Sequence, residues 1–347
     1  MTSIYLVRHA EAEGNLFRRA QGQFDGMITS LGHRQVECLR QRFLSVPIDA
    51  VYASDLRRTR ITSAAIWQPK GLMPSFTPEL REYSLGCWEN TPWTEWAAQD
   101  SESLRRFNQL DGFAPLGGET PDQVRDRMVS AFWRIVKENE GKTVAIVSHG
   151  MALRILMGAL EGLSFEEMRS APHSDNTAVS LIEAEGDSAR IVFRDDNSHL
   201  GELSTFAKQK WWRTADNAPD PALRFRGLEA DNREDLAAVM DAARSEGLSP
   251  AFDPADHADR IRLGYWQDKV AGVVIPTDDD CWFYLLPALR GNRQGIQLVG
   301  EGVDVLRRQG HTRLCCRCAS HAQALYLAHY GFDREGLVCS LPIDFNL

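Results

Sequence analysis

The chain lacks any uninterrupted apolar run of the roughly 18–20 residues that a membrane-spanning helix needs. Its opening, MTSIYLVRHAEAEG, also lacks the basic start and long apolar stretch of a secretory signal. These absences lead to the expectation of a cytoplasmic protein with no membrane partner. A disulfide framework is missing as well, since the seven cysteines are odd in number and scattered. Cys315, Cys316 and Cys318 do cluster in RLCCRCAS, but that stretch reads as a strand whose residues 315 and 318 face opposite sides. No second cysteine pair accompanies them, so buried strand thiols are expected and no metal site. Positive charge is not in excess either. A formal net charge of -9 excludes sequence-independent nucleic-acid binding through a broad basic footprint. It leaves room for a small pocket of positive charge.

What is present suffices for two cores. The 347 residues are 43% hydrophobic and 25% charged, a folded rather than disordered composition. At about 100–200 residues per domain, two domains are expected. The first part alternates strands and helices. SIYLVRHA, DAVYAS and KTVAIVSHG read as strands. SLGHRQVECLRQRFLSV reads as a helix capped by Ser30, and RRTRITSAAIWQ and MALRILMGALEG as two more. TPDQVRDRMVSAFWRIVKEN is a longer helix with Thr120 as its N-cap and Pro121 at its first position. This alternation predicts an α/β fold over residues 1–205, with a mostly parallel, doubly wound sheet. Residues 206–221 are polar and interrupted by prolines, and read as a linker whose Trp211 and Trp212 pack on a neighbouring surface. Residues 222–347 begin again as a smaller mixed α/β domain, with a hairpin turning near Gln267–Asp268.

The strand ends carry chemistry. The first ends in Arg8-His9, the second runs into SDLRRTR with Arg57 and Arg58, and a third ends in Ser148-His149-Gly150. Glu82 lies in the intervening ELREYSLGCWE. Ligands of open α/β sheets sit beyond the carboxyl ends of strands, so these groups can converge. Arginines bind phosphoryl oxygens bidentately, a neutral imidazole can attack phosphorus, and a carboxylic acid can protonate a leaving alkoxide. Each pair alone is an ordinary surface feature. Their joint occurrence after buried-looking strands points to phosphoryl transfer.

The stretches LVRHAEAEGN, ITSLGHRQ, SDLRRTRITSA, LREYSLGCWEN, GGETPDQVRDR, IVSHG and SHL follow one another in an order that resembles the histidine phosphatase, or phosphoglycerate-mutase-like, superfamily. The resemblance implies His9 as the nucleophile that becomes phosphohistidine, with Arg8 and Arg58 binding phosphoryl oxygens. It implies Glu82 as general acid and then base, and His149 as the second pocket histidine. Asn15, Gln21, Gly22, Tyr83 and Gly150 are expected to line the substrate site. Ala10 and Ala12 stand where the family has glycine and a hydroxyl residue. The partner implied is a small phosphorylated metabolite, and no cofactor is expected for this domain. Phosphatase and mutase share this chemistry. Arg105 and Arg106 could bind a second anionic group or form a solvated helix face. Trp88, Trp93 and Trp96 suit an apolar or ring-bearing substrate portion, which favours a phosphatase.

Residues 222–347 resemble the GNAT acetyltransferases through LLPALRGNRQGIQLV and CASHAQALYLAHYGFDREG. The first is a strand leading to a helix N-terminus, a natural pyrophosphate site. The resemblance implies acetyl-CoA or CoA binding by Arg290, Gly291, Arg293 and Gly295, with Arg293 standing where glycine is usual. Counting back from Gly331, the family's asparagine falls on Ser320 and its tyrosine on Leu327. Tyr326 is one residue off and is expected to point about 100° away. Three roles are open: acetylating an amine, binding a CoA compound without catalysis, or a structural, dimerising module. The whole chain then reads as a bifunctional enzyme, or as a regulatory protein sensing an acyl-CoA and a phosphorylated partner.

Overall fold

In chain order the elements are β1 (Thr2–Arg8), α1 (Glu13–Phe17), α2 (Ser30–Phe43), β2 (Ala50–Ser54), α3 (Arg57–Lys70), β3 (Ser75–Thr77), α4 (Trp93–Gln99), α5 (Ser101–Gln109), α6 (Pro121–Glu138), β4 (Thr143–Ser148), α7 (Gly150–Leu160) and α8 (Phe165–Ser170). There follow β5 (Val179–Glu185), β6 (Ser188–Asp196), β7 (Arg224–Gly227), α9 (Arg233–Ser245), β8 (Arg262–Trp266), β9 (Lys269–Pro276), β10 (Cys281–Leu285), α10 (Gln294–Arg308), β11 (Arg313–Arg317), α11 (His321–His329), β12 (Asp333–Glu335) and β13 (Val338–Pro342). This computed structural model describes residues 1–170, 173–205 and 222–344. The expected linker, with Trp211 and Trp212, lies outside the described residues. Two compact units result. One gathers Met1–Ala12, Ala20–Thr91 and the described residues from Trp96 to 205; the other gathers Glu13–Arg19, Pro92–Glu95 and residues 222–344.

The first unit is α/β. Its sheet runs β3-β2-β4-β1-β5-β6, the first four strands parallel and the last two antiparallel. β4 is buried along nearly its whole length, the run expected of a central parallel strand covered on both faces. Its register with β1 matters most for function. Leu6 pairs with Ile146 and Arg8 with Ser148, so the two strands end level and deliver His9 and His149 side by side. α6 starts as the sequence predicts: the Gln123 amide donates to the Thr120 hydroxyl at 3.2 Å, and the Thr120 amide to the Gln123 carboxamide oxygen at 2.8 Å. α2 is capped by Thr29 rather than Ser30, its hydroxyl oxygen accepting from the Gly32 amide at 3.0 Å. Thr29 also donates to Glu11 at 2.7 Å, a tertiary bond that local pattern does not reveal.

The second unit carries two antiparallel sheets, ordered β10-β9-β8-β7 and β11-β13-β12. Its strands are therefore not mixed in direction, although helices flank them. α10 runs through its core, with Ile296, Leu298, Val299, Val303 and Leu306 buried. Within this unit Phe17 packs so closely on α10 that a β-carbon at Gly300 would lie 2.4 Å from its ring. Arg19 pairs with Glu301 at 2.6 Å and Asp304 at 3.1 Å. Cys281, Cys316, Cys318 and Cys339 are buried thiols. Among the described residues no helix is long and apolar enough to cross a membrane, and no group of His, Cys, Asp and Glu could hold a metal ion.

The β8–β9 hairpin turns at Gln267–Asp268, with φ of 50° and 58°. Positive φ at both central residues is what a type I′ turn requires, and side chains with a β-carbon resist it. Asp268→Gly is expected to raise the stability of this unit by about 1 kcal/mol, read as a higher urea midpoint; an unchanged or lower midpoint contradicts this account of the turn.

Candidate active site

His9 is 3% exposed and follows β1 directly. Its amide donates to the Ser148 carbonyl at 2.9 Å, and its own carbonyl accepts from the Asn176 carboxamide at 3.0 Å. Its ring Nδ1 lies 2.7 Å from the Ala10 carbonyl oxygen. A carbonyl can only accept, so Nδ1 carries the proton and the lone pair is on Nε2. His149 is the reverse. Arg58 Nε donates to its Nδ1 at 3.1 Å, which places its proton on Nε2. That Nε2 is buried with no hydrogen-bond partner among the described residues. The two ring centroids are 5.2 Å apart. One ring thus offers a lone pair and the other an N–H. Burial, followed by the positive charges of Arg58 and Arg8, holds the His9 pKa well below its ordinary value. Burial, Arg58 and His9 do the same for His149.

Arg58 stands in the first turn of α3 and is fully buried. Besides His149 it donates to the Phe24 carbonyl at 2.8 Å and the Gly22 carbonyl at 2.6 Å. Burial lowers its pKa to about 10, against the opposing pull of Glu82, Asp25 and Glu89. It therefore stays charged at neutral pH. Arg57 turns elsewhere, its guanidinium reaching the Met27 sulfur at 3.2 Å. Arg8 donates from Nη1 to the Ser174 carbonyl, while its Nε is buried with no partner among the described residues. A β-carbon at Gly150 would come within 3.1 Å of that Nε, so glycine there leaves the guanidinium its room. The Glu82 carboxylate accepts from the amides of Tyr83 at 2.9 Å, Ala152 at 2.8 Å and Met151 at 3.1 Å. It thereby caps α7, which opens immediately after His149.

The structure brings Arg8, His9, Arg58, Glu82, His149 and Gly150 together. Gly22 joins them through its carbonyl; at φ 50° and with a β-carbon position 2.7 Å from Glu89 Oε1, only glycine fits. The Gln21 Oε1 beside it is buried without a partner among the described residues. Tyr83 goes elsewhere: it is 1% exposed, its hydroxyl donates to the Phe113 carbonyl at 3.3 Å and its ring packs on Phe107. Asn15 lies half-buried in α1, among the residues grouped with the second unit. Trp88 does not face a substrate as expected. It is 2% exposed, stacked on Trp96 at 5.0 Å and edge-on to Phe107. Arg105 is paired with Glu102, and Arg106 with Asp111 at 3.1 Å.

Sequence reasoning missed the Ser174–Thr177 loop. Besides holding Arg8 and the His9 carbonyl, it supplies Asp175, 2% exposed, whose carboxylate accepts from Ser204 at 2.5 Å and Asn197 at 3.0 Å. Asp175 is also the leading negative charge opposite Arg8. Its signal, a polar run before a strand, looks like any turn.

The second unit holds a cleft of about 370 Å3 walled by Trp282, Tyr284, Arg290, Arg293, Tyr326 and Tyr330. Gly291 and Gly295 also line it. Arg293 is the N-cap of α10, at φ 59°, and makes no side-chain capping bond. Arg290 donates to Glu246 at 2.8 Å and the Leu285 carbonyl at 3.0 Å. Tyr326 faces the cleft rather than away from it, whereas Leu327 is fully buried in the core. The core fixes the rotation of α11, and the apolar residue takes the inward position.

A buried and a half-buried guanidinium and two oppositely protonated imidazoles at the carboxyl ends of parallel strands make a pocket for a phosphoryl-sized anion. The sequence profile of the histidine phosphatase superfamily (branch 1) matches residues 4–197, and the chain belongs to that superfamily. It is 35% identical over 164 residues to a probable phosphoglycerate mutase, GpmB, of Yersinia pestis (strain Pestoides F), covering 47% of this chain and 76% of that protein. Among solved structures it resembles Bacillus stearothermophilus YhfR at 33% identity and a TM-score of 0.55, covering 58% of this chain and 100% of that one. Its fold also matches mycobacterial glucosyl-3-phosphoglycerate phosphatase, at 22% identity and a TM-score of 0.53, over 56% and 99% of the two chains.

The histidines set a pH dependence. His9 and His149 are held well below the ordinary value, and burial lowers His199 to about 4. Below about 6.5 the unfolded chain binds protons that the folded chain refuses, so stability is present above that pH and lost as pH falls. Unfolding free energy is expected to drop between pH 7 and 5, by up to about 1.4 kcal/mol per pH unit for each such histidine. His149→Asn is expected to flatten the slope, and an unaltered slope in that variant counts against a buried neutral His149.

Proposed function

We propose that the first unit hydrolyses a small phosphomonoester through a phosphohistidine on His9, without a metal ion. The observation that carries this reading is the opposed protonation of the two imidazoles. His9 Nε2 attacks phosphorus with its lone pair, and the bond to the ester oxygen breaks. Glu82 gives that oxygen a proton and leaves as carboxylate. In the second step Glu82 takes a proton from water, whose oxygen displaces the imidazole, and inorganic phosphate departs. Arg8 and the His149 N–H bind the equatorial oxygens, where charge is spread during transfer. Arg58 holds His149 in the required tautomer and adds its own charge. A mutase, in which the phosphoryl group returns to an organic acceptor, is the second reading, favoured by the likeness to the probable phosphoglycerate mutase. The phosphatase is preferred because Arg105 and Arg106, the basic pair available for a second anion, already have carboxylate partners. His9→Ala is expected to abolish both phosphate release and the acid-labile phosphoryl label on the protein, and activity is expected to survive EDTA. Full turnover in the variant, or activity lost to EDTA and restored by a divalent ion, would overturn the mechanism.

For the second unit we propose an acyl-CoA cleft of the GNAT kind. Its support is the strand-to-helix passage at Arg290–Gly295 and the uncapped start of α10, whose free amides suit a pyrophosphate. Gly291, at φ 91° with open space at its β-carbon position, lets a ligand approach the backbone. Tyr326 adds a hydroxyl to the cleft wall beside Gly295. A bound acyl-CoA supplies a thioester-activated acyl group; Arg290, Gly291, Arg293 and Gly295 would hold it. Arg293 makes this a weak site, because its side chain stands where glycine would let the backbone approach the pyrophosphate closely. Calorimetry is expected to detect acetyl-CoA binding that Arg293→Gly tightens several-fold, with slow or absent amine acetylation. Tight binding with brisk turnover in the unaltered protein would contradict the weak site.

A further inference from the structure

Glu82 does not sit on a strand. It lies in an irregular segment between the 3-10 turns Pro78–Leu80 and Gly86–Trp88. Backbone of this kind has no ladder to satisfy its carbonyls or fix its path. Arg127, on α6, does both. Its Nη1 donates to the carbonyls of Glu79 at 3.0 Å and Arg81 at 2.8 Å, and its Nη2 to that of Glu82 at 2.9 Å. Its Nε and Nη2 donate to the Glu119 carboxylate at 2.7 and 2.8 Å. A guanidinium has five N–H donors, and these five bonds use them all. Glu119 extends the grip. Its Oε2 also accepts from the Ser84 amide at 2.9 Å, and its own amide donates to the Ser84 carbonyl at 3.0 Å. The segment is thus fastened at residues 79, 81, 82 and 84, on both sides of the carboxyl group.

We propose that Arg127 and Glu119 are positioning residues for proton transfer by Glu82. They touch no reacting atom. They hold the backbone from which the acid reaches the leaving oxygen, and a misplaced acid costs rate in proportion to how much the leaving group needs its proton. The inference rests on the reading of Glu82 as general acid. Arg127 is a demanding choice for this task. Lysine retains the charge, which also reaches His149, but has three donors on one nitrogen and cannot span three carbonyls and a carboxylate.

The test compares phosphate release from an alkyl phosphate and from p-nitrophenyl phosphate, whose leaving group needs little protonation. Arg127→Lys is expected to slow the alkyl ester by about 10- to 100-fold, with a loss on p-nitrophenyl phosphate at least about fivefold smaller. Glu119→Gln is expected to act in the same direction more mildly, and carries the comparison should Arg127→Lys not fold. In a Glu82→Gln background Arg127→Lys is expected to cost little more, because the group it positions is gone. Equal slowing of both esters, no slowing, or full additivity with Glu82→Gln overturns the positioning role while leaving the phosphatase intact. Unaltered protein inert toward both esters overturns the phosphatase reading and this inference with it.

Discussion

The fully buried Arg58 guanidinium and the half-buried Arg8 lie against two buried imidazoles, and their proximity keeps both rings neutral. Arg58 donates to His149 Nδ1, so His149 must keep its proton on Nε2 and its ring neutral. With His149 neutral, His9 is spared a third positive neighbour and also stays unprotonated, its Nδ1–H spent on the Ala10 carbonyl. Both outcomes depend on β1 and β4 ending level, which the pairing of Arg8 with Ser148 secures. A slip of one residue between these strands would turn one imidazole to the opposite face of the sheet and dissolve the pocket.

Around this centre the protein satisfies charge with backbone as much as with side chains. Arg8 and Arg58 donate to the carbonyls of Ser174, Gly22 and Phe24, while Glu82 accepts from three amides. Carbonyl partners hold a guanidinium in place without cancelling its charge. The Arg8 and Arg58 charges thus stand at the strand ends of a protein whose overall charge is -9, with Asp175 and Glu82 as acidic neighbours. The cap segment makes the opposite arrangement: Arg105 and Arg106 meet carboxylates, and the aromatic residues bury one another.

The parallel sheet and the strand-end residues were readable because they rest on period and order. Runs such as TVAIVS have a single reading next to amphipathic helices, and Arg-His and Ser-His-Gly mark where those runs stop. Local chemistry also predicted the Thr120 cap and the Gln267–Asp268 turn, since each is decided within a few residues. What escaped notice is set by contacts far apart in sequence. Thr29 displaces Ser30 as cap because Glu11 meets it. Trp88 and Tyr83 look like pocket walls in sequence, yet neighbours from α4 and α5 and the loop at Phe113 enclose them. Asp175 sits in a loop without periodicity, and only folding reveals that its carboxylate lies opposite Arg8.

Gly295 and Tyr326 show a dependence of another kind. A β-carbon at 295 would lie 2.9 Å from the Tyr326 hydroxyl oxygen, in a helix whose rotation is fixed by Leu327 in the core. The two positions share one small volume, and the phenol tip is the part of it that can move. Alanine at 295 would push the phenolic oxygen aside, so the missing side chain at 295 decides where that hydroxyl stands in the cleft.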